Sequence, residues 1–337
     1  MTHHHIFNLP YSPLVQLNDP ELNRPEISVF IKRDDLIHSS VQGNKWRKLK
    51  YNLLKIKELN NPKLLTFGGA FSNHIYATAA AGKLLGIDTI GVIRGERTYP
   101  LNHSLAFAEQ RGMKLHFVSR SDFRNKEILA QKLGDTYNDM YVLPEGGTNE
   151  LALRGCIEIV EEINQQLPQL PDFITLACGT GGTLAGIIKG ANKNQTVIGL
   201  SVLKGNFIIN DVAKLLSLSH IPVNLPQKSE EHSENIDKIS PNTDICSWEI
   251  NPDYHFGGYA KWSPDLITFI NRFKRIHNIA LDPIYTGKMF FGLFDLIKKG
   301  YFPKGSTIVA VHTGGLQGIE GFNTFKLKNS SLKVDLD

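Results

Sequence analysis

Seven short apolar runs punctuate the chain: Leu64–Phe67, Thr89–Ile93, Leu115–Val118, Tyr141–Leu143, Phe173–Ala177, Val197–Val202 and Thr307–Val311. Their apolar residues are mostly consecutive rather than alternate, the pattern of strands covered on both faces in a parallel sheet. Segments of helical length lie between them. The spacing predicts helices over Lys45–Leu59, Asn73–Leu85, His103–Gln110, Asn125–Leu133, Glu150–Gln166, Leu184–Gly190, Phe207–Leu218, Pro264–His277 and Gly287–Lys298. Strands alternating with such helices specify an α/β fold with right-handed crossovers. An earlier strand-like run, Ile27–Ile31, precedes the first helix. Four consecutive units, from about Leu53 to Leu143, read as self-contained. They form a candidate smaller domain inserted after Lys45, with the site in the cleft between domains. The alternation lapses between Pro222 and Trp248, where the polar run Gln227–Glu234 reads as a surface excursion.

The 337 residues, 41% hydrophobic, suffice for two domains rather than one. The net charge of +4 is spread without a long basic block, so no nucleic-acid partner is expected. Cys156, Cys178 and Cys246 are too few and too scattered for a disulfide framework or a zinc site, which fits a reducing cytoplasm. No charged-then-apolar start suggests a signal peptide, and no apolar run approaches the ~20 residues of a membrane span. His3–His5 reads as a frayed terminus, and no metal is expected.

Four stretches carry candidate chemistry. In Gly43-Asn44-Lys45-Trp46-Arg47-Lys48-Leu49 a lysine opens a helix after a flexible corner. Taken alone it reads as a solvated basic first turn. The chemical alternative is a lysine holding a cofactor aldehyde as a Schiff base, which needs desolvation or a neighbouring positive charge, from Arg47 or Lys48. The second stretch is Phe67-Gly68-Gly69-Ala70-Phe71-Ser72-Asn73-His74. Ser72 is an N-cap by type, and the helix start it caps is equally a seat for a carboxylate. His74 reads as a structural first-turn residue. Third, Cys178-Gly179-Thr180-Gly181-Gly182-Thr183 follows an apolar strand and opens an apolar helix. Its glycines let backbone N–H groups form a concave anion seat. It lacks the Gly-Lys-Ser/Thr of a P-loop and the later acid of a dinucleotide fold, so a phosphate monoester fits it better. Cys178 reads as a small residue fitting the turn, not a nucleophile. Last, His312-Thr313-Gly314-Gly315 ends a strand, and Asp282–Lys288 precedes a helix. Thr286 or Thr313 is a candidate partner for a heteroaromatic nitrogen, and Tyr285 and Tyr259 are candidate proton carriers. Lys288 reads as a solvated helix residue.

Asp34-Asp35-Leu36, Gly43–Leu49, Gly68-Gly69, Ser72-Asn73-His74, Pro144-Glu145-Gly146-Gly147, Thr180-Gly181-Gly182-Thr183, Asp282–Lys288 and His312–Gly315 occur in one order. That ordered set resembles the 1-aminocyclopropane-1-carboxylate deaminase / D-cysteine desulfhydrase family of pyridoxal-phosphate enzymes, over about residues 32–316. The resemblance implies a two-domain, tryptophan synthase β-subunit-like α/β fold (fold type II). Residues 50–147 would be the small inserted domain, and residues 1–49 and 148–337 the large cofactor domain. It further implies pyridoxal 5'-phosphate on Lys45, with Lys48 and the Cys178–Thr183 loop on its phosphate. Asn73 would meet its phenolic oxygen, Ser72 the substrate carboxylate or a transferred proton, and Tyr259 and Tyr285 the substrate. A homodimer is typical of the family.

Deaminases of the family carry Glu after the tyrosine of the Asp-Pro segment and Leu before the last Gly-Gly; desulfhydrase-like members carry Thr at both, as Thr286 and Thr313 do here. A carboxylate strengthens the cofactor's electron sink, whereas a threonine leaves the ring nitrogen only hydrogen-bonded. Expelling a thiolate needs less help than opening a cyclopropane. The expected reaction is therefore α,β-elimination from D-cysteine or a related small D-amino acid. The alternatives are cyclopropane deamination and a pyridoxal-phosphate-binding protein without turnover. Two positions depart from the family: Phe71 stands for a glutamine that helps hold the carboxylate, and Tyr76 for an arginine. A phosphosugar-binding protein is a poorer fit, since it gives Lys45 no role.

Overall fold

A computed structural model describes residue 7 and residues 9–22, 26–59, 63–217 and 246–335. The elements run β1 Leu14–Gln16, β2 Ser28–Lys32, α1 Asn44–Lys57, β3 Lys63–Gly69, α2 Asn73–Leu85, β4 Thr89–Arg94, α3 His103–Gln110, β5 Lys114–Val118, α4 Lys126–Gly134, β6 Met140–Leu143, α5 Glu150–Gln166, β7 Phe173–Cys178, α6 Gly182–Gly190, β8 Thr196–Ser201, α7 Phe207–Ser217, β9 Ser247–Asn251, α8 Pro264–His277, α9 Thr286–Lys298, β10 Thr307–Val311 and α10 Gly318–Phe325. Two sheets result. One has the order β1-β2-β10-β7-β8-β9, parallel except where β1 meets β2. The other, order β5-β4-β3-β6, is wholly parallel.

The apolar runs became strands because both faces of each sheet are covered. On the larger sheet, one face packs Phe273, Phe290, Leu293 and Phe294 of α8 and α9 against Ile198, Ile308 and Ala310. The opposite face packs α5, α6 and α7 against Ile174, Leu176 and Val309. α1 lies between the two layers. Its Trp46, Leu49 and Leu53 pack with Leu64, Ala77, Ala80 and Leu143 of the smaller unit. Its other side meets α5 so closely that a Cβ at Gly155 would stand 1.9 Å from the Arg47 carbonyl oxygen. Leu49 and Leu53 are fully buried, each worth about 1.5–3 kcal/mol toward holding α1 in place. Lys45 is thus carried on a clamped helix.

Three elements were not expected. β1 is a three-residue edge strand, and β9 puts Trp248 inside a strand rather than in the lapse. α10 is short and contains two glycines, yet buries Ile319 and Phe322. The predicted helix end Leu218, the run Gln227–Glu234 and His3–His5 lie outside the described residues. No helix among the described residues is long and apolar enough to cross a membrane.

Candidate active site

The C-terminal ends of β3, β4, β6, β7 and β10 border one cavity of about 510 Å³. Its wall contains Lys45, Lys48, Ser72, Asn73, Cys178–Thr183, Tyr259, Tyr285 and Thr313. Thr286 is the exception among the expected site residues. It is fully buried behind the wall, its hydroxyl donating 2.7 Å to Asp282 Oδ2.

Lys45 sits in the first turn of α1, after Gly43. The corner needs glycine: φ is +58°, and a Cβ would fall 1.9 Å from the Thr313 carbonyl oxygen. Asn44 N–H donates to that same oxygen at 3.2 Å, so Lys45 and Thr313 are fixed relative to each other. Burial, and then the charge of Lys48, bring the Lys45 amine down from 10.5 to about 7. Half of it is neutral near neutral pH, as a nucleophilic amine requires. Arg47, the other expected source of charge, has no such part. Its guanidinium turns away and forks onto Asp34 (3.0 and 2.9 Å) and Glu162 (2.5 and 2.9 Å). Lys32 completes the cluster by donating to Glu162 at 2.6 Å. With these two carboxylates hydrogen-bonded to it and Glu158 at 3.7 Å, Arg47 is a buried structural ion.

Lys48 is buried and donates to Thr148 Oγ1 (2.9 Å) and the Gly146 carbonyl (3.2 Å). Beside it, α6 begins at Gly182 without a side-chain cap, so its first-turn N–H groups line the cavity uncapped. Gly181 has φ +77°; a Cβ at Gly182 would meet Thr148 Oγ1 at 2.4 Å and Lys48 Nζ at 2.8 Å. Thr183 Oγ1 accepts 2.9 Å from Asn44 Nδ2, tying this loop to α1. The glycines therefore open a concave seat between a helix N-terminus and an ammonium group, as a phosphate monoester needs. The Cys178 thiol is buried, which pushes it up to about 12, so it stays protonated and is no nucleophile.

Ser72 is the cap expected of it, its Oγ accepting 3.3 Å from Ile75 N–H at the start of α2, and it also stands on the cavity wall. Asn73 Oδ1 accepts 3.0 Å from Gln317 Nε2, which turns its amide nitrogen toward Gly315. His74 is buried. Thr66 Oγ1 donates to the Leu143 carbonyl (2.9 Å), so it accepts from His74 Nε2 (2.8 Å). The lone pair of His74 Nδ1 is left buried and unmatched. Burial and the two lysines push the imidazole far below its usual range, so it is neutral. Gly147 admits the ring: its φ is +71°, and a Cβ would stand 2.7 Å from His74 Cε1.

The opposite wall holds Tyr259 and Tyr285, edge to face at 6.2 Å. Burial raises both phenols, Tyr285 well above 10; at neutral pH both carry a proton to give. Lys288 is not solvated. It is buried and donates to the carbonyls of His255 (2.9 Å) and Gly258 (2.8 Å), holding the loop that carries Tyr259. Asp282, Arg94 and Lys326 also line the cavity and were not anticipated. Asp282 Oδ1 accepts from Ile284 and Tyr285 N–H, and Oδ2 from Thr286 N–H and Oγ1, all within 2.9 Å. The Asp-Pro-x-x-Thr spacing before a helix was the available signal. Arg94 and Lys326 have no ion pair among the described residues. Tyr76 lies outside the cavity wall, stacked on Phe107 at 3.7 Å, so its exchange for arginine leaves the site untouched.

Comparison with known proteins bears on the chain as a whole. Residues 7–314 match the model of the family described as pyridoxal-phosphate-dependent enzymes. A Pyrococcus horikoshii protein provisionally named a 1-aminocyclopropane-1-carboxylate deaminase is 32% identical, over 92% of this chain and 93% of its own. The Arabidopsis thaliana protein named a bifunctional, mitochondrial D-cysteine desulfhydrase/1-aminocyclopropane-1-carboxylate deaminase is 30% identical, over 94% of this chain and 79% of its own. The crystal structure titled as that of an ACC deaminase homologue superposes with a TM-score of 0.77 at 29% identity, covering 95% of this chain and 94% of that one.

Proposed function

This chain belongs to the pyridoxal-phosphate-dependent enzymes of fold type II, in the 1-aminocyclopropane-1-carboxylate deaminase / D-cysteine desulfhydrase family; on that premise we propose a lyase that eliminates the β-substituent of D-cysteine or a related small D-amino acid. The residues fit the cofactor. The uncapped turn of α6 with Lys48 would hold its phosphate, Lys45 its aldehyde carbon, Asn73 its phenolic oxygen and Thr313 its ring nitrogen. When bound, pyridoxal phosphate supplies an electron sink for the pair left at the substrate Cα.

The chain's own groups supply the rest. The N-terminal turn of α2, with its cap Ser72 on the cavity wall, seats the substrate carboxylate. Neutral Lys45 takes the Cα proton, its amine lowered enough to act as a base near neutral pH. The protonated phenol of Tyr285, with Tyr259 against it, gives a proton to the departing sulfur. The observation that carries elimination over ring opening is the state of Asp282. It and Glu145 are the acids of the wall. Asp282 has two donors on each oxygen, and Glu145 pairs with Lys126 at 3.1 Å. Neither carboxylate is free to hold a proton on the ring nitrogen, and Thr313 offers a hydroxyl only. Ring opening, which needs the stronger sink, is the second reading, and it is favoured by the names of the relatives.

The test is to assay purified holoenzyme with D-cysteine and with 1-aminocyclopropane-1-carboxylate, following keto-acid release. Faster release from D-cysteine supports the proposal; faster ring opening overturns it. Action near neutral pH on a small amino acid, by a homodimer in the cytoplasm, completes the reading.

A further inference from the structure

Phe71, Tyr259 and Phe325 are large apolar residues left exposed, and all three line the same cavity. Phe71 is 42% exposed and Phe325 59%, with the rings edge to face at 5.1 Å. They are not loose. Gly321 of α10 is where a Cβ would stand 3.4 Å from Phe71 Cδ1 and Cε1, so the ring rests on helix backbone. Phe322, buried on the next position, continues the apolar surface into the cavity. α10 is itself anchored across the cavity. Gln317 donates to Asn73, and Glu320 meets His103 of α3 at 3.3 Å. A fixed aromatic surface therefore adjoins Ser72, the residue next to Phe71 and the one assigned to the carboxylate. Rings held open to water at a substrate cavity gain by being covered, and an aromatic partner gains most.

Resting on the lyase reading above, we propose that Phe71, Phe322 and Phe325 form a subsite for an apolar group on the substrate sulfur, so that S-aryl- and S-aralkyl-D-cysteines are preferred to D-cysteine itself. A free thiol ends at its sulfur and leaves the rings uncovered; a thioether substituent covers them. The reaction stays balanced. The Cα–H bond breaks with its proton passing to Lys45, and the Cβ–S bond breaks with its electron pair leaving on sulfur. Sulfur takes a proton from Tyr285 and departs as the thiol R–SH. The released enamine tautomerises, and one water converts it to pyruvate and ammonium, with no net oxidation or reduction. The phenylalanine that replaces the family's glutamine at position 71 thus changes the substrate.

The experiment compares kcat/KM of the holoenzyme for S-benzyl-D-cysteine and D-cysteine, reading thiol and pyruvate release together with the shift of the bound cofactor's absorbance. Wild type is expected to favour S-benzyl-D-cysteine by about tenfold or more, the order of one aromatic contact plus its buried area. Phe71→Gln and, separately, Phe325→Ala should each cut that ratio by about tenfold. If S-benzyl-D-cysteine shifts the spectrum in a Phe71-dependent way but neither compound is cleaved, the subsite stands and the lyase reading falls. If D-cysteine is cleaved in preference, or both substitutions leave the ratio unchanged, the subsite is overturned and the lyase reading stands.

Discussion

The lowered amine of Lys45 makes a quantitative prediction about aldehyde capture. With its pKa at about 7, the neutral fraction is about one eleventh at pH 6, half at pH 7 and about ten elevenths at pH 8. Capture by apoenzyme should therefore rise about tenfold between pH 6 and 8 and then level off. A lysine with an ordinary value near 10.4 would rise about a hundredfold over the same interval and keep climbing to pH 10. The assay is stopped-flow appearance of the visible band on mixing apoenzyme with pyridoxal, which lacks the phosphate and so reports the amine and not the anion seat. Burial is the largest cause of the lowering and the Lys48 charge the next, so Lys48→Met should move the midpoint upward. A rate still climbing past pH 9 in the wild type, or an unmoved midpoint in Lys48→Met, refutes the reasoning.

Other consequences are equally direct. Arg47→Met leaves Asp34 buried without its hydrogen-bonded cation and Glu162 with Lys32 alone, and should cost about 3–5 kcal/mol in denaturant unfolding. Burial alone would push the Asp34 carboxyl up, but Arg47 and Ser12 overcome it and hold it below 3.8. Its stabilisation is thus present above pH ~4 and lost as pH falls through the folded-state value; Arg47→Met should weaken that acid dependence in pH-jump unfolding. Gly147→Ala sets a side chain at φ +71° against His74; it should lose at least about 1–2 kcal/mol of stability, the order of the left-handed strain alone, and, by displacing His74 from the cavity wall, raise the Kd for pyridoxal phosphate. Gly86→Ala, at φ +68° with nothing within 4 Å, should lose about 1 kcal/mol of stability with that Kd unchanged. Tyr285→Phe should lower kcat for elimination about a hundredfold, as removal of a general acid does, with KM little altered.

The parallel strands were legible because burial on both faces writes itself as consecutive apolar residues. Asn73–Leu85, His103–Gln110, Glu150–Gln166 and Pro264–His277 fell at their expected limits; Ser72, Asn102, Asn149 and Ser263 cap them with side-chain oxygens. What local pattern could not reveal was tertiary pairing. Arg47 looked like a cation for Lys45 because Glu162, its partner, stands 115 residues away. Lys288 looked solvated because the carbonyls it holds belong to another loop. Thr286 looked like a ring-nitrogen partner until Asp282 claimed its hydroxyl. α10 carries Gly318 and Gly321, poor helix formers, and exists because Ile319 and Phe322 bury and Gln317 reaches Asn73. The cavity wall was legible for a different reason: each glycine turn alone allowed an ordinary reading, with Lys45 a basic first turn and Ser72 a cap, and only their ordered set, through its resemblance to the family, pointed to a phosphate and an aldehyde.

The central claim is that Lys45 alone carries the cofactor in this cavity. Borohydride reduction of holoenzyme, followed by proteolysis and mass spectrometry, reads this residue by residue. The account predicts one stoichiometric pyridoxyl group, on Lys45, and none in Lys45→Ala. A label on Lys48 or on another lysine, or an unchanged label in Lys45→Ala, would contradict it.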